Sequence, residues 1–212
     1  MFNLGGIYVP LSVFLEGVYF SLLGIEGSFD DYVKVKYNKP GNVYIGLVHR
    51  LDRPVGGVMV FAKTKKSAAH ISKQIQENTF KKTYLAIADG IIEKKQGIYK
   101  DLLFKDSKKN RSYVVKRVRK GVREASLEYE IIKQMESKSM VQVLLHTGRT
   151  HQIRVQFASR NMPLVGERKY SELDDPCEIA LWSYRIAFAH PKTGEKMEFT
   201  HQPPETYPWT EV

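Results

Sequence analysis

The chain has 212 residues, 42% of them apolar, and 33 Lys and Arg against 23 Asp and Glu give a net charge of +10. This length supports one good-sized core, or a domain with a small extension. A single cysteine, Cys177, excludes an intramolecular disulfide framework and a cysteine-based zinc site, and it suits a reducing compartment.

The first 25 residues, MFNLGGIYVPLSVFLEGVYFSLLGI, are strongly apolar. Pro10, Glu16 and four glycines interrupt the run, and no Lys or Arg precedes Lys34. Strand and turn pieces packed on a core are therefore expected here, not a signal peptide or membrane anchor. Val43–Val48 and Gly57–Lys63 read as short buried strands flanking an HRLDRP turn. Lys65–Asn78 reads as a helix, with Ala68, Ala69, Ile71 and Ile75 as its apolar stripe. Lys82–Ala88 reads as a strand ended by Asp89-Gly90.

A basic region follows. Residues 94–123 hold twelve Lys and Arg against Asp101 and Asp106, whereas residues 1–33 hold four acids and no Lys or Arg. Alone, a basic run reads as a solvated face; concentrated like this, it fits a polyanion, bound through phosphate neutralisation and counterion release. Lys116, Arg117, Arg119 and Lys120 are its expected contacts. Within it SYVVKRVRK alternates partly as a strand, and ASLEYEII and MVQVLLHT follow as clearer ones. Gly148 marks a turn, and Thr150 is the expected N-cap of a helix from about His151 to Ser159. That helix would place His151, Arg154 and Ala158 on one face and turn Ile153 and Phe157 inward. After a loop over 161–176, residues 179–189 and 196–200 form a last strand pair around HPKTGE. Many strands in meander-like order with few helices predict an α+β domain, a largely antiparallel mixed sheet with flanking helices and loops.

Three stretches could carry chemistry. GLVHRLDRPVGGVMVFAKT sets Asp52 between Arg50 and Arg53 on a tight turn at the mouth of a strand. A salt-bridged surface loop is the plain reading; a nucleophile beside cations that handle a polyanion is the sharper one. FKKTYLAIADG places Tyr84 after two lysines, and LLHTGRTHQIRVQFA presents Arg154 beside a glycine-bearing turn. Taken singly, Tyr84 reads as a half-buried strand aromatic and Arg154 as a surface residue. The six histidines show no His-x-x-x-His or His-Glu-x-x-His spacing, so no metal is expected. No Walker loop, dinucleotide fingerprint or Gly-x-Ser-x-Gly elbow occurs.

Together the stretches resemble a known family. HRLDRPVGGVMVFAKT looks like the active-site motif of RluA-type RNA pseudouridine synthases. FKKTYLAIADG and LLHTGRTHQIRVQFA with NMPLVGERKY match its two later motifs in order, and IALWSYRIAFAHPKTGE is similar to its C-terminal strand pair. The matches span about residues 38 to 200. The resemblance implies the pseudouridine synthase catalytic fold over 38–212, with 1–37 a divergent or incomplete N-terminal segment and no separate N-terminal RNA-binding domain. It implies an isomerase of uridine in structured RNA, ribosomal or transfer, acting in the cytoplasm without cofactor, metal, membrane or obligatory protein partner. Asp52 would be the nucleophile, Arg154 its salt-bridge partner, Tyr84 the aromatic packed on the base, and Arg50 the side chain entering the space that the flipped base vacates. His49, Arg149, Thr150 and His151 would be further RNA contacts, and Arg53 would face phosphate or serve the structure.

The chemistry suits such a pairing. Burial alone disfavours the charged form of a carboxylate, whereas a guanidinium within a few ångströms favours it. Two alternatives remain open from the residues: a non-catalytic RNA-binding protein on the same scaffold, and a glycosidase with Glu167 as a second carboxylate.

Overall fold

The computed structural model describes residues 44–211, Asn38, and the backbone of three short N-terminal strands. These are β1 (Phe2–Leu4), β2 (Ile7–Val9) and β3 (Val18–Leu22). The described chain continues through β4 (Gly46–Leu47), β5 (Gly56–Ala62), α1 (Lys65–Gln76), β6 (Lys81–Asp89) and β7 (Gln96–Asp106). It then runs through β8 (Arg111–Val115), β9 (Val122–Gln134), β10 (Lys138–Leu145), α2 (Gln152–Ala158), β11 (Leu181–Ala189) and β12 (Lys196–Thr200). Most of the expected segment 1–37, with Val43, lies outside the described residues.

Among the described residues, ten strands form one sheet in the order β3-β5-β11-β6-β10-β9-β7-β8, with β12 beside β11 and β4 beside β5. Every pairing is antiparallel except β5 with β11. The α+β, largely antiparallel expectation holds, and the apolar N-terminal stretch contributes β3, paired along β5.

Period-two alternation sets the core. On β10, Ser139, Val141, Val143 and Leu145 are buried while the residues between them are half-buried. With Tyr84, Ala86 and Ala88 of β6 and Leu127 and Tyr129 of β9, the three apolar β10 residues meet Ile153 and Phe157 of α2. Phe157 is fully buried, and Tyr99 and Tyr129 lie with ring centroids 5.3 and 6.3 Å from it. A second cluster, Val58, Val60, Ile71, Phe80, Ile186 and Phe188, seals α1 onto β5 and β11.

Three details differ from the sequence reading. β7 was not anticipated, because Lys and Asp break its alternation, yet it pairs with β9 from Gln96↔Glu130 to Phe104↔Val122. α1 ends at Gln76, two residues early, and Thr64 caps its start by accepting the Ser67 N–H. Thr150 does not cap α2. His151 occupies that position in the left-handed region (φ 54°), and the Gln152 carboxamide oxygen instead takes the Arg149 N–H at 3.0 Å.

The glycine pair after the HRLDRP turn has a steric reason. Gly57 has φ +118°, and a Cβ there would sit 2.3 Å from the Ser183 carbonyl oxygen. Only glycine lets β5 come this close to β11.

Candidate active site

Asp52 lies in the loop between β4 and β5, and that loop is fixed at both ends. The Val60 N–H donates to His49 Nε2 at 3.0 Å, and the imidazole tilts against Phe80. Downstream, Val55 is 2% exposed, Leu51 packs on the same cluster, and the Val55 N–H bonds the Asp52 carbonyl at 2.9 Å. Burial, and then the charge of Lys82, pull the His49 imidazole down to a pKa of about 3, so it stays neutral. His49 lines the cleft, but its Nε2 is used by the scaffold.

Arg154 is delivered by α2 and is no surface residue, being 5% exposed. The loop before it is tied to β9. The Gln152 amide donates to the Ser126 carbonyl at 3.1 Å, Thr147 Oγ1 donates to Gln152 Oε1 at 2.7 Å, and Arg149 Nε donates to the Glu124 carbonyl at 2.8 Å. Ser112 Oγ holds the Thr150 carbonyl at 2.7 Å.

The guanidinium faces two carboxylates unequally. Its Nε and Nη2 donate to Glu167 at 2.6 and 2.7 Å, a planar two-point match. Its Nη1 lies 3.6 Å from Asp52 Oδ2. Glu167, only 1% exposed, also accepts the N–H groups of Lys169 and Tyr170. Burial alone would raise the Glu167 carboxyl, but its bonds to Arg154, that residue's charge and the two amides hold it below the usual value. Burial alone would lower Arg154, and Glu167 followed by Asp52 reverse that. Glu167 is thus committed to Arg154, which removes it as the second carboxylate of a glycosidase.

Tyr84 is 7% exposed on β6, registered with Val143 and Ser183. Burial, and then the charge of Asp52, push its phenol above its usual pKa. His151 is 8% exposed, with Nδ1 2.7 Å from the Tyr170 hydroxyl. Burial pulls its imidazole below the usual value, against the charge of Asp52. The Tyr170 ring carries the guanidinium carbons of Arg111 and Arg154 at 5.0 and 5.6 Å from its centroid.

These groups surround a cleft of about 1530 Å³, more than one small ligand needs. Asp52, Arg154, Tyr84, Arg50, Arg53, His49, Arg149, Thr150 and His151 all line it. Ten Lys or Arg side chains line it, and Asp52 is its single carboxylate among the described residues. Lys116, Arg117, Arg119 and Lys120 are exposed but do not line it; Arg119 lies over Phe104 at 4.7 Å. The basic stretch therefore divides. Lys105, Lys109 and Arg111 reach the cleft from β7, β8 and their connecting turn, and the following loop stays outside.

Sequence reasoning missed these three cations, along with Lys82, Arg168, Lys169 and the Glu167–Arg154 fork. The GERKY string that carries Glu167, Arg168, Lys169 and Tyr170 was the available signal. Among the described residues, no three His, Cys, Asp or Glu gather as a metal-ligand group, and no helix is long and apolar enough to cross a membrane.

Comparison with known proteins identifies the family. A family model described as RNA pseudouridylate synthase matches residues 26–159. An uncharacterized RNA pseudouridine synthase of Aquifex aeolicus is 34% identical over 183 residues, covering 78% of this chain and 57% of the relative. Ribosomal large subunit pseudouridine synthase D of Neisseria meningitidis is 34% identical over 167 residues, covering 73% of this chain and 44% of that protein. The chain spans about half the length of the curated relatives it matches. In fold it is similar to human RNA pseudouridylate synthase domain containing 1, with a TM-score of 0.71, 21% identity, and coverage of 94% of this chain and 84% of that one. The chain belongs to the RluA-type family of RNA pseudouridylate synthases.

Proposed function

We propose that this member of the family isomerises a uridine in structured RNA, ribosomal or transfer, to pseudouridine. The observation that carries the reading is Asp52, the single carboxylate among the described residues of a cleft that ten Lys or Arg also line, 3.6 Å from Arg154. Ten cations suit the phosphates of a polyanion. A neutral sugar would supply no counter-charge to the nine of them other than Arg154.

The reaction is redox-neutral: the bond from C1′ to N1 breaks, a bond from C1′ to C5 forms, the C5 hydrogen leaves as a proton, and N1 takes up a proton, so uridine and pseudouridine are isomers. Asp52 acts as the nucleophile, bonding transiently to the uridine through a carboxylate oxygen and splitting one difficult rearrangement into two steps. Arg154 Nη1 orients that carboxylate, while Glu167 holds the guanidinium plane. The penalty for burying Arg154 is offset by Glu167 first, which leaves one edge for Asp52. Tyr84 is the apolar platform for the base, and with Val55, Leu145 and Ile153 it shields the reacting atoms from water. Confinement keeps the detached base in place to re-attack through carbon.

A stacked or paired uridine must first be extruded, at a cost of a few kcal/mol. Arg50, exposed at the rim, fills the vacated space. Arg53, Arg149, Thr150 and His151 contact the RNA around it. Lys116, Arg117, Arg119 and Lys120 contribute attraction at longer range.

Pseudouridine mapping in RNA from cells lacking the protein, with wild type or Asp52→Asn restored, tests this. Wild type should restore a modification that Asp52→Asn does not. Restoration by both would end the enzymatic reading, and restoration by neither with RNA binding intact would favour a non-catalytic binding protein.

A further inference from the structure

Lys82 is an unusual residue for its position. It lies on β6, flanked by β10 and β11, and its cross-strand partners are Leu145 and Ile186, both buried. A lysine half-buried between such neighbours loses hydration, and burial pushes its pKa down. Among the described residues no carboxylate pairs with it. Its charge also bears on His49, which is neutral.

The surroundings keep that cation open to the cleft. Lys82 lines the cleft wall, and a Cβ on Gly148 would lie 3.1 Å from Nζ. The missing side chain at 148 thus leaves the ammonium room beside the loop that carries Arg149 and Thr150. Lys82 also precedes Tyr84 by two residues on one strand. Both side chains therefore leave the same face, about 7 Å apart along the backbone. A single nucleotide can span that separation from base to phosphate.

We propose that Lys82 is a phosphate anchor, whose ammonium group takes the RNA phosphodiester next to the nucleotide seated against Tyr84. This rests on the uridine-isomerase reading. The rim cations Arg50, Arg53, Lys109 and Arg149 are exposed and meet any RNA that approaches. Lys82 sits deeper, so only a phosphate carried inward with an extruded nucleotide reaches it. Its contact forms as the base leaves the stack, and binding energy from the backbone then favours the extruded state. An arriving phosphate supplies the missing counter-charge.

The test uses the full chain with fluorescein-labelled decauridylate as the probe. The slope of log K against log salt should become shallower by about 0.7 in Lys82→Met, the single-strand value for one lost phosphate contact. Lys82→Arg should keep the wild-type slope. The thermal midpoint of Lys82→Met should equal or exceed that of wild type, because a desolvated, unpaired charge is removed.

Tritium release from RNA labelled at uridine C5 should slow at least about tenfold in Lys82→Met, or 1.4 kcal/mol of barrier, and recover in Lys82→Arg. An unchanged salt slope in Lys82→Met would overturn the anchor. Slower release with that slope unchanged would assign Lys82 to the base instead. A wild-type protein that shows the slope difference but releases no tritium would defeat the isomerase reading alone, since the binding measurement needs no chemistry.

Discussion

The guanidinium of Arg154 is gripped by Glu167 through two hydrogen bonds of 2.6 and 2.7 Å, while its remaining nitrogen stands 3.6 Å from Asp52. Glu167 is thus a positioning residue, and the orientation of Arg154 depends on it. Glu167→Gln keeps the shape and removes the charge, leaving a buried guanidinium without its main partner. It should destabilise the fold by about 3–5 kcal/mol in urea titrations at neutral pH. A loss below 1 kcal/mol would show that Asp52 alone suffices for Arg154.

Arg154→Lys retains a positive charge but cannot fill both sites. Turnover should fall at least about tenfold while RNA affinity changes by less than about twofold, since a planar fork orients a carboxylate and an ammonium does not. Equal losses of turnover and affinity would place Arg154 in RNA binding instead.

Acid should weaken the fold in two stages. The His49 imidazole has a folded pKa of about 3 against 6.5 unfolded, so between those values the unfolded chain binds more protons. Stability therefore falls as pH drops through that window, by up to about 1.4 kcal/mol per unit from this group. Glu167, held below the usual carboxylate value, acts in the same direction. Its contribution is present above pH 4.5 and lost as pH falls through its lower folded pKa. His49→Gln should flatten the pH 6.5 to 4.5 part of the curve, read by denaturant midpoints. An unchanged slope there would contradict the buried, neutral imidazole.

The two halves of the basic stretch should separate experimentally. Neutralising Lys105, Lys109 and Arg111 should lower both turnover and affinity and make the salt slope shallower by about 2 on single-stranded RNA. Neutralising Lys116, Arg117, Arg119 and Lys120 should lower affinity and leave turnover at saturating RNA unchanged. A larger turnover loss from the second set would move the RNA path out of the cleft.

Much of this was legible before folding. The HRLDRPVGG string announces a turn feeding a strand, and Gly57 proves sterically necessary against Ser183. The alternation of MVQVLLHT and the inward turn of Ile153 and Phe157 follow from periodicity and reappear in one cluster. What a linear reading could not supply was pairing across distance. Glu167 is 115 residues from Asp52, and Arg154 brings the two together. Arg111 looked like one basic residue among twelve until β8 turned it over Tyr170. Lys82 reads in the sequence only as the first residue of a strand, because its burial depends on Leu145 and Ile186, from strands far along the chain.

The most direct test of the central claim is single-turnover tritium release from uridine-C5-labelled RNA by purified wild type and Asp52→Asn, with RNA binding measured in parallel. Wild type should release tritium in proportion to the pseudouridine formed, and Asp52→Asn should bind equally well and release none. Release by Asp52→Asn at a rate near that of wild type would contradict a nucleophilic Asp52.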